Sequence, residues 1–369
     1  MSTVSDFIPG LRLSRSFYLE AVKLVLDASF PDLQFSAALI GSGSEVLGFD
    51  TEMSTDHHWG PRVMLFLKEG DYQQYHKAIH EALRNELPTR FHGYSTNFTV
   101  PNAADNNVQL LKEVDHGPIN HRVEILTIRG FFRGDLNFDI KESIEPADWL
   151  TFPSQKLRSI TAGAVFHDGI GLQAVRDRFS YYPHDVWLYL LASGWNRIGQ
   201  EEHLMGRAGM VDDEIGSAII GSRLVRDVMR LCFLMEKQYA PYAKWFGKAF
   251  TQLKCAADLS PILRRVLLAE AWQEREKHLA AAYEYVAEMH NRLGITETLP
   301  ARVSSFFGRP FLVIHLGGDF AEAIRTRVTD PVVRRIAERK LIGSIDQISD
   351  STDILSDPRW RTTLRRFYE

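Results

Sequence analysis

A polar stretch between two apolar runs carries the residue types best suited to phosphate chemistry. It reads "GSGSEVLGFDTEMSTDHHWGPRVMLFL" (residues 41–67) and follows the apolar run "FSAALI". Gly41 lets the backbone come close to a phosphate group, and the hydroxyl of Ser42 can donate a hydrogen bond to it. Carboxylates such as Asp56 can hold divalent cations, which bridge the phosphates of a nucleoside triphosphate. The stretch therefore holds residue types that are able to contact phosphate and a divalent cation.

The composition is that of an ordinary globular protein. The chain has 369 residues, of which 45% are hydrophobic and 24% charged, and its formal net charge is −4. This length exceeds one typical hydrophobic core, so we expect two or more domains. The slightly negative net charge gives no general attraction to nucleic acid, although it does not exclude a local basic patch.

The sequence also bears on location. No apolar run reaches the about 18 residues that would suggest a membrane span, and the first residues lack the pattern of a secretion signal. The two cysteines, Cys232 and Cys255, lie in helix-like sequence and are expected to be reduced thiols rather than a disulfide or a zinc site. We therefore expect a cytoplasmic protein with no membrane partner.

Hydrophobic periodicity divides the chain into a mixed part and a helical part. The mixed part is predicted to contain, in chain order, a helix at residues 15–28, strands at 35–41 and 62–68, a helix at 72–87, a loop at 92–120 and a strand at 121–128. From about residue 155 to residue 295 the pattern is helical almost throughout, as in a helix bundle. The tail has one strand-like run, "PFLVIHL", followed by a glycine pair at 317–318 that is expected to form a turn.

These patterns predict an α+β protein with three parts. Residues 1–150 are predicted to form a mixed sheet with helices, and residues 151–295 a helical bundle. Residues 296–369 are predicted to form a C-terminal α/β extension that packs on the others.

The order of strand, Gly-Ser, loop and aspartate resembles the nucleotidyltransferase superfamily that includes kanamycin nucleotidyltransferase and DNA polymerase beta. In that superfamily a Gly-Gly or Gly-Ser pair precedes two acids one residue apart, and a third acid lies on a neighbouring strand. Here Gly41 and Ser42 match the pair, Asp56 the first acid, and Glu124, within "HRVEILTI", is the best match for the third. The resemblance implies Mg²⁺ or Mn²⁺ as the cofactor and a nucleoside triphosphate, expected to be ATP, as a substrate.

Position 58 departs from the superfamily pattern, because it holds His58 where a carboxylate is expected. Alternate strand residues face the same way, so residues 56 and 58 are expected on one face and His57 on the other, packed or exposed. Magnesium prefers oxygen ligands, whereas imidazole suits manganese or zinc better. His58 therefore either changes the metal preference, leaves a one-metal site or marks lost activity. Asp50 and Glu52 could supply oxygen ligands instead.

Four longer segments together resemble a bacterial domain-of-unknown-function family, number 4037. They are "GSGSEVLGFDTEMSTDHHWGPR", "KLRSITAGAVFHDG", "YYPHDVWLYLLASGWNRIGQEEHLMGRAG" and "RLVRDVMRLCFLMEKQYAPYAKWFGKAF". The resemblance covers most of residues 30–260. It implies a nucleotidyltransferase-like domain followed by a helical domain, and it supplies no substrate.

Further candidates come from the helical part and from the second strand. Related two-domain nucleotidyltransferases use an acid of the helical domain as the general base on the acceptor hydroxyl, and Glu201 or Glu202 could play that part. A solvated helix end with ion pairs is the alternative. Lys244 and Trp245, in "YAPYAKWFGKAF", could bind phosphate and stack a base, or the aromatic residues could pack a domain interface. Arg62, after "WGP", is a candidate phosphate contact.

Three arginines recur at helical spacing in the second half of the chain. Arg223, Arg226 and Arg230 form one basic stripe on a predicted helix. The stripe could hold a triphosphate. It could equally be a surface feature paired with Asp227, Glu236 or other acids.

Three functions from different classes remain open at this point. The first is metal-dependent transfer of a nucleoside monophosphate from a triphosphate to a hydroxyl of a small-molecule acceptor, such as an aminoglycoside-like antibiotic. The second is a degenerate relative that binds a nucleotide or metabolite without turnover. The third is a helical-domain ribonuclease or interaction module. A nucleic-acid acceptor is not favoured, and the oligomeric state cannot be inferred from the sequence.

Overall fold

A computed structural model describes residues 7–56, 58–104, 107–316 and 319–369. His57 and the glycine pair at 317–318 lie outside the described residues. The chain forms two compact units. The first comprises Met1–Ser143 and Lys156–Ser180, and the second comprises Ile144–Gln155 and Tyr181–Glu369.

The first unit contains six strands and six helices among its described residues. The strands are β1 (Phe35–Leu39), β2 (Arg62–Leu67), β3 (Arg90–Phe91), β4 (Tyr94–Ser95), β5 (Arg122–Thr127) and β6 (Ala164–Asp168). The helices are α1 (Gly10–Phe17), α2 (Lys23–Ser29), α3 (Glu69–Glu86), α4 (Ile128–Leu136), α6 (Ser154–Thr161, which begins in the second unit) and α7 (Leu172–Asp177). A π-helical turn, Tyr18–Val22, joins α1 to α2.

Four of these strands form one mixed sheet in the order β5-β2-β1-β6. β1 pairs antiparallel with β2 and with β6, whereas β2 and β5 are parallel. The connection from β2 to β5 contains α3. It is therefore long enough for the crossover that a pair of parallel strands requires. The register places Arg62 opposite Arg122 and Met64 opposite Glu124.

The two faces of this sheet differ in how they are covered. One face carries Val63 and Leu65 into a large core with residues of α1, α2 and α3. The other face carries Met64 and Phe66 into a smaller cluster. Because strand side chains alternate, the residues at 62, 122 and 124 lie on this second face, at the start of the two parallel strands. The sequence therefore leaves charged side chains at one end of the smaller core.

The second unit is largely helical, as the periodicity predicts. Its helices are α5 (Pro146–Thr151), α8 (His184–Met210), α9 (Glu214–Met235), α10 (Ala243–Phe250), α11 (Ala256–Leu268), α12 (Trp272–Leu293), α13 (Phe320–Arg325), α14 (Pro331–Glu338), α15 (Ile345–Ile348), α16 (Thr352–Ser356) and α17 (Arg361–Leu364). Two short strands, β7 (Ser304–Ser305) and β8 (Leu312–Val313), pair antiparallel. Helices α8, α9, α11 and α12 pack on one another, and their apolar stripes are buried there.

The α+β fold class predicted from the sequence is confirmed, with a mixed sheet early in the chain and helices after it. The three main strands fall where the apolar runs predicted them. β6 was not predicted, because "AVFHD" is embedded in a helical pattern and its residues are half-buried or exposed. Its pairing with β1 returns residues 156–180 to the first unit, so the two units differ from the predicted division at residues 150 and 295.

Candidate functional site

The loop after β1 has a backbone conformation that only glycine adopts easily. Gly41 and Gly43 have φ values of +81° and +141°, and side chains are disfavoured in that region. A Cβ atom added to Gly43 would lie 2.4 Å from Nη2 of Arg62. The Gly41 amide donates to the Ser159 carbonyl, so the exposed hydroxyl of Ser42 is the group that this turn presents to solvent.

A buried ion pair holds this loop against β2. Nε of Arg62 donates to Oε1 of Glu45 at 2.7 Å, and Nη2 donates to the carbonyl of Ser42 at 2.6 Å. The side chains of both charged residues are nearly fully buried. The charge of Arg62 is thus compensated within the fold, and its guanidinium positions the Gly-Ser turn. A phosphate contact by Arg62 itself stays a prediction.

The segment between the loop and β2 is not a strand. Residues Glu52–Asp56 form a 3₁₀ turn that leaves Asp56 exposed, and β2 begins only at Arg62. His58 has a φ of +53° and Gly60 one of +140°, and neither value is compatible with a regular strand. The expectation that residues 56 and 58 lie on a strand is therefore wrong, and strand alternation no longer supports their facing the same way.

Asp50, considered from the sequence as a substitute metal ligand, anchors the same segment. Its Oδ2 accepts hydrogen bonds from the Gly10 amide at 2.6 Å and from Nε1 of Trp59 at 3.1 Å. Trp59 is buried. The carboxylate thus connects the start of α1 to the residues just before β2. This is a structural arrangement that the residue types alone did not reveal.

One guanidinium connects the loop that carries His58 to β5. Nη1 of Arg122 lies 2.8 Å from Nδ1 of His58, and Nη2 lies 3.7 Å from Oε1 of Glu124. A guanidinium can only donate, so Nδ1 of His58 accepts and carries no proton. Arg122 also lies over the ring of Phe98, 5.7 Å from its centroid. The structure therefore connects His58 to the strand of Glu124 through Arg122, and the convergence of Asp56 with Glu124 stays a prediction.

Arg122 is the residue that the sequence interpretation missed. It lies opposite Arg62 in the parallel register. Burial lowers the pKa of Arg122, and the neighbouring charge of Arg62 lowers it further. Whereas Glu45 compensates Arg62 at hydrogen-bond distance, the ion pair of Arg122 is with Glu124 at 3.7 Å. The sequence did contain a signal for Arg122. It precedes Glu124 by two residues on a predicted strand, so both side chains were expected on the same face.

Only some of the three predicted metal ligands, Asp56, His58 and Glu124, have atoms that suit a hard cation such as Mg²⁺. Asp56 is exposed, and 44% of the Glu124 side chain is exposed, so both carboxylates are accessible to solvent and carry the oxygen atoms that a hard cation prefers. Nδ1 of His58, in contrast, already accepts from Arg122. Over the described residues, no group of three or more His, Cys, Asp and Glu side chains could hold a metal ion. The assignment of Asp56, His58 and Glu124 as metal ligands stays a prediction, and His58 fits it least.

The predicted general base, Glu201, lies in an ion-pair network of the second unit. Its Oε1 is 2.9 Å from Nη2 of Arg197 and 2.6 Å from Nη2 of Arg223. Glu202, the alternative base, accepts from the backbone amides of Ile314 and His315. Both carboxylates are buried and paired within the helical unit. A catalytic role for Glu201 stays a prediction.

The arginine stripe of α9 is paired with acids, as its second interpretation proposed. Arg226 contacts Asp350 at 2.5 Å and Arg230 contacts it at 3.6 Å, and Asp227 is 3.8 Å from Arg226. The stripe is therefore part of a charge network at the surface of the second unit.

Lys244 and Trp245, the predicted stacking pair, lie at the start of α10. Nζ of the exposed Lys244 is 4.9 Å from the ring centroid of Trp245. The two side chains are thus in contact with each other through a cation–π interaction. Their role in nucleotide binding stays a prediction.

Comparison with known proteins finds one family model that matches part of the chain. Residues 149–246 match the model of a family described as a domain of unknown function (DUF4037). The DUF4037 resemblance is confirmed for residues 149–246. A solved structure from Exiguobacterium sibiricum, described as a nucleotidyltransferase-like protein, is similar over 80% of this chain and 82% of that chain, with 10% identity and a TM-score of 0.30. That similarity is too low to transfer a function. No curated protein matches the sequence.

No helix within the described parts of the chain combines the length and the apolar character needed to cross a membrane.

Proposed function

We propose that the chain binds a nucleoside triphosphate where β2 and β5 begin and transfers its nucleotidyl group to a hydroxyl of a small-molecule acceptor. The contact of Arg122 with both His58 and Glu124 carries this proposal. It connects His58 to the strand of Glu124, and Arg62, opposite Arg122 on the adjacent strand, holds the Gly-Ser turn. This arrangement supports a site in which groups for phosphate and for a cation would be neighbours.

Each group of this site has a role that its chemistry supports. The Ser42 hydroxyl and the Arg122 guanidinium would bind phosphate oxygens, because one donates from the turn and the other is a cation with an exposed acid as its partner. Asp56 and Glu124 would hold Mg²⁺ or Mn²⁺. The bound cation would neutralise charge on the triphosphate.

The transfer itself moves one nucleotidyl group from the bridging oxygen of the triphosphate to the acceptor oxygen. The acceptor oxygen forms a bond to the α-phosphorus, the bond from that phosphorus to the β-bridging oxygen breaks, and pyrophosphate leaves. The hydroxyl proton passes to a base, for which Glu201 is the candidate from the sequence. Lys244 and Trp245 are the candidates for base and phosphate contacts in the second unit.

A second candidate function is nucleotide binding without turnover. The observation that favours it is His58, which stands where a carboxylate is expected and whose Nδ1 accepts from Arg122. With one carboxylate fewer, the site has fewer ligands for two cations. Binding would then persist while transfer is lost.

Isothermal titration separates these functions. Wild-type chain is titrated with ATP, GTP, CTP and UTP, first with Mg²⁺ and then with Mn²⁺, and pyrophosphate release is measured with a panel of hydroxyl acceptors. Binding with pyrophosphate release supports transfer, and binding alone supports the second candidate. Asp56→Ala should abolish the metal-dependent part of binding, whereas Asp115→Asn, at an exposed acid of the same unit, should not. The absence of binding by every triphosphate would overturn both and favour a ribonuclease or interaction module.

A further inference from the structure

One end of the helical second unit exposes an apolar surface. Helices α8 and α9 are joined there by one turn, and α11 and α12 are joined there by another. Six large aliphatic side chains near these turns are between 48% and 78% exposed: Met210, Val211, Ile215, Ile219, Leu267 and Leu268. We call these six side chains the bundle-end surface.

The two turns are held side by side by hydrogen bonds of Glu214, at the start of α9. Its Oε1 accepts from the Trp272 amide at 3.0 Å, and its Oε2 accepts from Nη1 of Arg275 at 3.0 Å. Nη2 of Arg275 donates to the carbonyl of Ala269, directly after α11. Gly209 packs so closely on Trp272 that an added Cβ atom would lie 2.2 Å from Cγ of the ring. The side chains at the two turns therefore belong to one end of the bundle.

The core of the second unit does not require the bundle-end surface to be apolar. The buried face of α9 is formed by other residues, among them Ser217, Gly221 and Leu224, and Ile215 and Ile219 lie outside it. Single exposed apolar residues are common on proteins, whereas a contiguous group of them marks an interaction site. A partner that covers this surface therefore explains side chains that the core does not.

Charged residues of opposite sign flank the two turns. Asp212 is exposed in the α8–α9 turn, beside Asp213, whose side chain caps α9. Arg264 and Arg265 are exposed on α11, three residues before the two leucines. Among the residues that the structure describes, Asp212, Arg264 and Arg265 make no ion pair. The bundle-end surface thus lies between an acidic group and a basic group that remain available to a partner.

We propose that the bundle-end surface binds the same surface of a second copy of this chain in a two-fold symmetric dimer. Two-fold symmetry brings one patch against itself, so each contact between two different residues occurs twice. The acidic α8–α9 turn of each copy then faces the basic end of α11 in the other, and the aliphatic side chains between them leave water. The charges favour this partner over a membrane surface, because anionic lipid headgroups repel an acidic turn.

Sedimentation velocity of the full chain, from low to high micromolar concentration, tests the apolar part of the proposal. Wild-type protein should form a dimer. Ile219→Asp should raise the dissociation constant of the dimer by at least about tenfold, because it puts an unpaired charge into an apolar contact. Leu24→Asp, at an exposed leucine of the first unit, is the matched control and should dimerise as wild type does. A thermal melt of each variant shows that it is folded.

Charge exchange tests how the two copies face each other. Asp212→Lys puts a positive charge opposite the arginines of α11, and the double variant Arg264→Glu, Arg265→Glu puts negative charges opposite the acidic turn. Each variant alone should dimerise at least about tenfold more weakly than wild type, because like charges meet twice. An equimolar mixture of the two variants should dimerise more strongly than either alone, because both contacts then join opposite charges.

Three results would each overturn the proposal. A monomeric wild-type protein over the whole concentration range would mean that the bundle-end surface does not bind a second copy. A dimer that Ile219→Asp leaves intact would lie at another surface. A mixture of the two charge variants that associates no better than either variant alone would exclude the pairing of the acidic turn with α11.

Discussion

Arg122 donates a hydrogen bond of 2.8 Å to Nδ1 of His58. This contact puts a fixed positive charge beside the place where the superfamily resemblance led us to expect a carboxylate. A guanidinium can compensate the negative charge of a phosphate, as a bound metal ion does. Unlike a metal ion, it is covalently attached to the protein and cannot dissociate. The candidate site therefore combines a resident cation with two accessible carboxylates, and the balance between them is open to test.

Restoring a carboxylate at position 58 should shift binding from the arginine to the metal. In His58→Asp, the new carboxylate would pair with Arg122 and reduce its attraction for phosphate, while it would add an oxygen ligand for Mg²⁺. We expect ATP affinity in EDTA to fall and the gain from added Mg²⁺ to rise, each by about tenfold, which is the effect of one charged hydrogen bond. Calorimetry with and without Mg²⁺ measures both. His58→Asn is the uncharged control, and equal effects of the two substitutions would contradict the prediction.

The Gly-Ser turn should not tolerate a side chain at position 43. Gly43→Ala places a Cβ atom 2.4 Å from Nη2 of Arg62 at a φ of +141°, so both the backbone and the buried ion pair must shift. We expect the free energy of unfolding to fall by roughly 1–3 kcal/mol, measured by urea denaturation. Gly70→Ala, in α3 with no atom within 4 Å of the added Cβ, should be neutral or slightly stabilising. Equal stability of the two variants would disprove the role of Gly43.

The C-terminal helix α17 should stabilise the second unit through a buried ion pair. Arg361 and Arg365 both contact the buried carboxylate of Asp148. Arg361→Ala removes one of two arginines at a buried carboxylate whose charge Arg365 still compensates, so we expect a loss of about 1.5–3 kcal/mol in the free energy of unfolding. Arg359→Ala breaks an exposed pair with Asp357 and should cost less than about 1 kcal/mol. Similar losses in the two variants, measured by thermal denaturation, would contradict this role of the pair.

A buried histidine should make the second unit sensitive to acid. Burial lowers the pKa of His290 from 6.5 to about 4, and Nε2 lies 2.9 Å from the Thr296 hydroxyl. The unfolded chain takes up a proton at this residue between pH 6.5 and about 4, whereas the folded chain does not. The free energy of unfolding should therefore decrease by about 3 kcal/mol as pH falls through this window. His290→Gln should reduce this slope in denaturation curves measured from pH 7 to pH 4. An unchanged slope would show that another group is responsible.

Local patterns in the sequence were sufficient for the main strands and helices, because burial imposes a period on apolar residues. Local patterns gave a wrong prediction between residues 50 and 61, because the positive φ values of His58 and Gly60 are not compatible with a strand. Asp56 and Glu124 were chosen by a resemblance. Arg122 was overlooked, since its importance comes from partners 64 residues earlier and on the same strand.

Long-range pairing explains most of what could not be predicted. The carboxylate of Glu45 is 17 residues from Arg62 in the chain, and Asp148 is 213 residues from Arg361. No local pattern indicates which acid neutralises which arginine. Arg62 therefore looked like a phosphate ligand in the sequence, although the fold uses its charge to hold the Gly-Ser turn.

Titration of ATP with Mg²⁺ into wild type, Arg122→Gln and Arg90→Gln tests the central claim most directly. Arg90 is an exposed arginine of the same unit, paired with Glu113. Saturable binding by wild type and by Arg90→Gln, with affinity reduced by at least about tenfold in folded Arg122→Gln, is the predicted result, because one charged hydrogen bond to phosphate is lost. Binding of equal strength in all three proteins, or no binding by wild type, would contradict the claim that the triphosphate binds at Arg122.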